Sequence, residues 1–270
     1  MASGYWLTTD RWPLFFERMA ASRANRIRLD RLLVERGWAE SREKAQALIL
    51  AGQVLVDEQK VEKCGAAVSA AVSLRILGEA CKYVSRAGLK LEDALDYFRI
   101  SAEAKLCLDV GASTGGFTDC LLQRGAARVF AVDVGTNQLD WKLRRDPRVV
   151  ALEQINARFL TFDQIGARVA LAVMDVSFIS STLILAALRP LLQPGADLLV
   201  LVKPQFEVGR EQVGKGGIVR DMRLHQEAVS RVSRKLLELG FDQLASTESV
   251  LAGAGGNREY FLHAIWPQSR

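Results

Sequence analysis

Residues Leu106–Gly135 read LCLDVGASTGGFTDCLLQRGAARVFAVDVG, and this stretch decides the fold. An apolar run, LCLDV, ends at an acid and breaks at Gly111. A loop of small residues follows, with Gly115 and Gly116. FTDCLLQRG then has helical spacing and stops at Gly125. A second apolar run, RVFAV, ends at Asp133. Strand, glycine turn, helix and strand in this order make a βαβ unit, because parallel strands need a crossover. Ligands of such sheets bind beyond the carboxyl ends of the strands, where this loop lies.

The loop chemistry discriminates between ligands. A P-loop places lysine after its last glycine, whereas Phe117 follows Gly116. A dinucleotide fingerprint needs glycine two residues after the first, and Ser113 stands there. S-adenosyl-L-methionine carries no phosphate. It needs a close backbone for its amino-acid part and an acid for its ribose. Gly111, Gly115 and Gly116 provide the turn after Asp109, and Asp133, 22 residues beyond Gly111, provides the carboxylate. The chemistry favours S-adenosyl-L-methionine over the phosphate-bearing nucleotides.

Downstream, VALAVMDV and DLLVLVK are continuous apolar runs rather than alternating ones. Such strands are covered on both faces. GGFTDCLLQRG, STLILAALRPLL and RLHQEAVSRVSRKLLELG read as helices between or after them. The expected fold is α/β, a doubly wound Rossmann-like domain. YFLHAIW is expected to close the sheet as an edge strand.

The totals exclude several classes. No apolar run reaches the roughly 18 residues that cross a bilayer. Cys64, Cys81, Cys107 and Cys120 lack metal-ligand spacing, and His225 and His263 are the only histidines. The expectation is therefore no metal, no disulfide framework, no stable membrane association and a cytoplasmic location. The net charge is +5, and residues 1–90 hold 15 Lys/Arg against 10 Asp/Glu, so the whole excess sits in the first third. A basic module on a neutral one suggests a polyanion-binding arm.

That module has its own pattern. Leu29, Leu32 and Leu33 recur at helical spacing, and Gly37 is expected to stop the helix. Ser41 opens a second helix as its N-cap, with Ala45, Leu48 and Ile49 as the apolar stripe. QVLVD and VSLRIL read as strands. The expected organisation is an N-terminal extension over 1–25, a small α+β domain over 26–77, a linker over 78–84 and the large domain over 85–270.

Four polar residues of the large domain need a reason. Asp175 and Lys203 end apolar runs and are expected at the carboxyl edge of the sheet, beside the glycine loop. Glu259 stands at the mouth of the last strand. Lys90 shares a helix face with Arg86, four residues before it. Strand-end ion pairs are the structural alternative for each. The functional reading is methylation of a ribose hydroxyl, which must be held in line while its proton leaves. A lysine takes that proton only when neutral. Lys203 is assigned as general base, with Lys90 opposing its protonation and orienting the hydroxyl. Asp175 and Glu259 orient the two lysines. VGKGGIVRD, Val213–Asp221, is either a surface loop or a mobile basic lid.

These motifs together resemble a known family. RLDRLLVERGWAESREKAQALILAGQVLVD resembles the S4 RNA-binding domain. YVSRAGLKL, DVGASTGGFTD, AVDVG, MDVSFIS, VKPQFE and GNREYF resemble the TlyA family, in which an S4 domain is fused to an FtsJ-like 2'-O-ribose methyltransferase. The likeness runs from about Arg28 to Trp266. It implies a Lys–Asp–Lys–Glu tetrad at Lys90, Asp175, Lys203 and Glu259. It implies an S-adenosyl-L-methionine site at Asp109, Gly111, Ser113, Gly115 and Asp133. Arg28, Arg42 and Lys44 then face RNA; Arg86, from the helix face it shares with Lys90, is expected to meet a nearby phosphate. The implied acceptor is cytidine of ribosomal RNA within ribosomal subunits. An RNA-binding protein with an idle transferase fold is the alternative, and a membrane-active haemolysin, a label the family has carried, is a third reading. The number of copies in the working protein stays open.

Overall fold

The computed structural model describes residues 26–36, 38–39, 41–57, 59–70, 72, 74–77, 82–253 and 256–268. The expected N-terminal extension, the stop at Gly37 and residues 78–81 of the expected linker lie outside them. The chain divides into two compact units, Met1–Ala80 and Cys81–Arg270.

In the first unit, β1 (Arg26–Arg28) runs directly into α1 (Leu29–Glu35), followed by α2 (Arg42–Leu50). Four short strands complete it: β2 (Val54–Val56), β3 (Gln59–Lys60), β4 (Ala67–Ser69) and β5 (Leu74–Ile76). β1 pairs with β4, and β2 lies between β3 and β5. Leu29, Leu33, Ala45 and Ile49 are fully buried against Val54, Val56 and Leu74. Helical spacing put those side chains on one face, and burying each leucine or isoleucine contributes about 1.5–3 kcal/mol. Ser41 caps α2, its Oγ accepting from Lys44 N at 3.2 Å, which satisfies one of the helix's unpaired donors.

The second unit opens with α3 (Ala87–Tyr97) and β6 (Leu106–Val110). Then come α4 (Gly116–Gln123), β7 (Arg128–Val132), α5 (Trp141–Arg144), β8 (Val149–Leu152) and α6 (Phe162–Ile165). β9 (Val169–Met174), α7 (Leu185–Leu188), β10 (Leu192–Val202) and α8 (Pro204–Glu207) follow. α9 (Met222–Glu238), β11 (Asp242–Glu248) and β12 (Tyr260–Ile265) end the unit. The sheet order is β8-β7-β6-β9-β10-β12-β11. The first five strands in that order are parallel, and β12 and β11 run antiparallel to their neighbours.

Both faces are covered, as the continuous apolar runs require. Cys107, Val129, Leu171 and Leu199 belong to one core, while Leu108, Phe130, Ala172 and Val200 belong to the other. Neighbouring residues of a strand thus alternate between two buried layers. Burial pushes the Cys107 thiol up to about 12, so it behaves as an inert core side chain.

Three expectations change. YFLHAIW is not the edge: β12 lies inside the sheet, and the edge is β11, whose DQLASTE is mostly exposed. A polar edge strand is tolerated because one side faces water, but its lack of apolar residues hid it in the sequence. β8 was likewise not singled out. STLILAALRPLL is broken into a 3-10 turn at Ser181–Leu183, the single turn α7 and a 3-10 turn at Arg189–Leu191. Pro190 has no N–H to continue a helix. Finally, Tyr83 and Val84 belong to the large unit rather than to a linker. Tyr83 is buried in its core beside Leu91 and Phe117, and Val84 N donates to Asp119 Oδ2 at 2.8 Å.

Candidate active site

Strand register assembles the site. Lys203 follows the last residue of β10, Val202, which is paired with Tyr260, the first residue of β12. Glu259, just before Tyr260, is therefore brought beside Lys203. Asp175 follows Met174 at the end of β9, and Met174 pairs with Val200 of β10. Asp175 N in turn donates to Val110 O at 2.9 Å, at the end of β6. Three sequence-distant side chains so emerge at one carboxyl edge. Lys90 arrives from α3, where it is mostly buried.

The four residues form two ion pairs. Lys90 Nζ donates to Glu259 Oε2 at 2.6 Å, and Glu259 is 2% exposed. Lys203 Nζ stands 2.6 Å from Asp175 Oδ1 and donates to Ser177 Oγ at 2.9 Å. This corrects the expectation that Lys90 opposes the protonation of Lys203. Each lysine has its own acid, so the group is neutral overall, and the charge of Lys90 is compensated where it stands. Gly253 makes the room: a Cβ there would overlap the Glu259 carboxylate.

Beside the second pair is a cavity of about 520 Å³, lined by Gly111, Ser113, Asp133, Asp175, Ser177 and Phe178 among others. Gly111 has φ +86° and a Cβ would overlap the carbonyl oxygen of Asp175, so only glycine keeps this wall thin. Asp133 accepts from Ser113 N at 2.8 Å and from Gly135 N at 2.7 Å. A carboxylate has about four lone-pair positions, so two remain for the two hydroxyls of a ribose. The thin glycine wall, the spare acceptors and the volume fit S-adenosyl-L-methionine, with Gly111, Ser113 and Asp133 as the residues that would hold it.

Asp109 and Gly115 act from behind the wall instead of lining it. Gly115, φ +94°, lies where a Cβ would meet Leu139 and Leu143, so it packs the loop against α5. Asp109 is fully buried and accepts from Thr118 Oγ1 at 2.7 Å, leaving Oδ1 without a donor. Burial pushes its carboxyl up to about 7, with the Asp175 charge adding to the effect.

Sequence reading missed Ser177, which lies two residues beyond Asp175 in the same loop and holds Lys203. It also missed Phe178, which has φ +65°, is 92% exposed and tilts against Phe206 with ring centres 5.3 Å apart. A bulky residue at positive φ is strained, and such strain concentrates at functional sites. The strain has no signature in residue type.

The loop Val213–Asp221 differs from the mobile lid that was one expectation. Val219 is buried, its N–H donates to Asn257 Oδ1 at 3.0 Å, and Asn257 Nδ2 donates to Gly217 O at 2.8 Å. His225 Nε2 lies 2.9 Å from Val219 O. Lys215 and Gly216 remain exposed, but the loop is fastened two residues from Glu259.

On the small unit, Arg28, Arg42 and Lys44 are exposed, as is Arg86 at the start of α3 on the large unit. Arg28 and Arg42 both contact Asp30, a fully buried acid that the sequence reading passed over. The Arg28 guanidinium, with Gln46 and Arg42, holds the Asp30 carboxyl well below the usual carboxylate range, against the opposing effect of burial.

Comparison with known proteins follows the same division. The FtsJ-like methyltransferase family matches residues 83–265, and the S4 domain family matches residues 27–70. The chain is 50% identical over 240 residues to the 16S/23S rRNA (cytidine-2'-O)-methyltransferase TlyA of Mycobacterium tuberculosis, covering 88% of this chain and 90% of that protein. It is 45% identical over 240 residues to Hemolysin A of Brachyspira hyodysenteriae, covering 88% and 100%. A solved structure from Streptococcus thermophilus, named as a hemolysin, is similar with a TM-score of 0.71 at 43% identity, over 91% of this chain and 90% of that one.

Proposed function

This chain belongs to the TlyA family, an S4 domain joined to an FtsJ-like methyltransferase, and on that premise we propose that it is an S-adenosyl-L-methionine-dependent 2'-O-ribose methyltransferase acting on cytidine of ribosomal RNA within ribosomal subunits. The observation that carries the reading is the pair of ion pairs, Lys90–Glu259 and Lys203–Asp175, of which Asp175 lines a cavity that Asp133 also lines.

Bound S-adenosyl-L-methionine supplies an electrophilic methyl group on a positively charged sulfur. The residues do the rest. Asp133 and the backbone at Gly111 and Ser113 would hold the donor's ribose and amino-acid part. Lys203, fixed by Asp175 and Ser177, meets the 2'-hydroxyl of the acceptor; having first released its own ammonium proton to solvent, it takes the hydroxyl proton as the methyl passes from the donor's sulfur to the oxygen. Lys90, fixed by Glu259, orients the same hydroxyl, so that attack is in line. The exposed ring of Phe178 at the mouth suits an unstacked base, the form in which RNA is recognised by sequence-selective proteins. Acting on ribosomal subunits makes the cytoplasm the place of work.

Two other readings fare worse. An idle fold would keep four mostly buried charges at a ligand edge with no use for them, at a desolvation cost. The hemolysin names of two relatives find no counterpart here: no helix among the described residues is long and apolar enough to cross a membrane. The test is incubation of purified ribosomal subunits with methyl-labelled donor, followed by mapping of the 2'-O-methyl position. Label on a cytidine ribose supports the proposal. Donor binding without transfer to either subunit supports the idle fold, and leakage of liposomes on addition of the protein supports the lytic one.

A further inference from the structure

Asp30 is an unusual residue for a small basic module. It lies in the first turn of α1, is completely buried, and accepts hydrogen bonds from three elements. Arg28 Nε reaches its Oδ1 at 3.0 Å and Arg28 Nη2 its Oδ2 at 2.8 Å, a two-pronged contact from the end of β1. Arg42 Nη2, from the first residue of α2, reaches Oδ2 at 3.1 Å, and Gln46 Nε2, one turn further along, reaches it at 2.9 Å. Arg31 N completes the set at 2.9 Å on Oδ1. A carboxylate with about four lone-pair positions is saturated by these contacts.

The two arginines are not consumed by this. Their side chains are 51% and 50% exposed. A guanidinium has five N–H donors in a rigid fork. Arg28 spends two on Asp30 and Arg42 spends one, which leaves donors on both directed away from the acid. Two positive groups are locked side by side, and only one of their charges is neutralised from within. Long exposed side chains normally lose rotamer freedom when they bind, and locking them beforehand removes that cost.

We infer that Asp30 is a positioning residue for RNA binding: it fixes Arg28 and Arg42 as one preformed fork pair that takes a phosphodiester of the RNA backbone. The inference rests on the proposed reading that the S4 unit binds ribosomal RNA. It assigns the contact to backbone phosphate, which positions RNA without reading its sequence.

The sign of one substitution separates positioning from simple charge. Asp30→Asn removes a negative charge from the basic module. Long-range electrostatics alone makes it bind RNA more tightly. Loss of the fork geometry makes it bind more weakly, by about tenfold for two side chains that must be ordered on binding. The full-length chain is titrated with purified ribosomal subunits over a range of salt, with unfolding followed in parallel by circular dichroism. Asp30→Asn that is folded, weaker and less steeply salt-dependent than the parent supports the inference. Equal or tighter binding with an unchanged salt slope overturns it.

Because Asp30 is buried, Asn there can unfold the unit, so the exposed partners give a second test. Arg28→Lys and Arg42→Lys retain charge but lack the fork. The inference expects each to bind as weakly as the matching alanine variant, and lysine variants with parental affinity overturn it. Failure of the parent chain itself to bind subunits overturns the underlying reading as well, whereas failure of the variants alone to differ overturns only the role of Asp30.

Discussion

The Lys203 ammonium lies 2.6 Å from the Asp175 carboxylate, and each residue is the first beyond the end of its own strand. Parallel neighbours end at the same edge, so β9 and β10 deliver the pair without any loop having to fold back. Ser177 then fixes the ammonium from the side. A site built on strand ends holds its geometry better than one built on long loops.

Lys203→Ala is expected to lower the rate of methyl transfer to ribosomal subunits by about 10²–10⁴, the usual contribution of a positioned proton acceptor. Donor affinity should stay within about a few-fold, since Lys203 does not line the cavity proposed for the donor. Single-turnover transfer and calorimetric donor binding measure the two. Transfer near the parental rate contradicts the assignment.

Glu259→Gln keeps the shape of the side chain and leaves the mostly buried Lys90 unpaired. Breaking one partner of a buried pair costs about 3–5 kcal/mol. The double variant Lys90→Met/Glu259→Gln should therefore be less destabilised than the sum of the single variants. Chemical denaturation of all four proteins completes the cycle, and strict additivity would show that the 2.6 Å contact does not operate in solution.

Gly111→Ala places a methyl group against the Asp175 carbonyl at a φ of +86°. Gly166→Ala also forces a positive φ, +72°, but meets nothing within 4 Å and lies outside the site. Both should lose about 1–2 kcal/mol from the left-handed backbone. Only Gly111→Ala is expected to weaken donor binding, by about tenfold or more, since it fills the wall of the cavity. Equal donor affinities in the two variants would place the donor elsewhere.

Asp109 gives a dependence on pH whose sign follows from burial. Its folded value is about 7, above the roughly 3.9 of an unfolded aspartate. Between those limits the native state binds more protons, so its contribution makes stability fall as pH rises from about 4 to about 7, and then level off. Asp109→Asn removes the ionisation and keeps an oxygen for Thr118. Relative to the parent, the variant should gain the most thermal stability at pH 8, less at pH 5 and little at pH 4. The opposite ordering would mean that the carboxylate is stabilised where it lies.

Much of this protein was legible from residue order. Glycine spacing and continuous apolar strands identified the doubly wound sheet, because periodicity and backbone freedom are local properties. Strand ends pointed to Asp175 and Lys203, because a charged residue stops an apolar run. The Leu29, Leu32 and Leu33 stripe and the Ala45, Leu48 and Ile49 stripe marked the two helices of the small unit for the same reason.

Pairing was decided only in three dimensions. No local pattern says that Lys90 meets Glu259 and Lys203 meets Asp175, since strand register and the placement of α3 determine which charges touch. The edge strand β11 was hidden because an edge exposed to water needs few apolar residues. Nothing in the sequence marks Asp30: its burial arises only when α1, α2 and β1 close around it. A buried charge survives only where folding brings its partners, and those partners come from elements that the linear chain keeps apart.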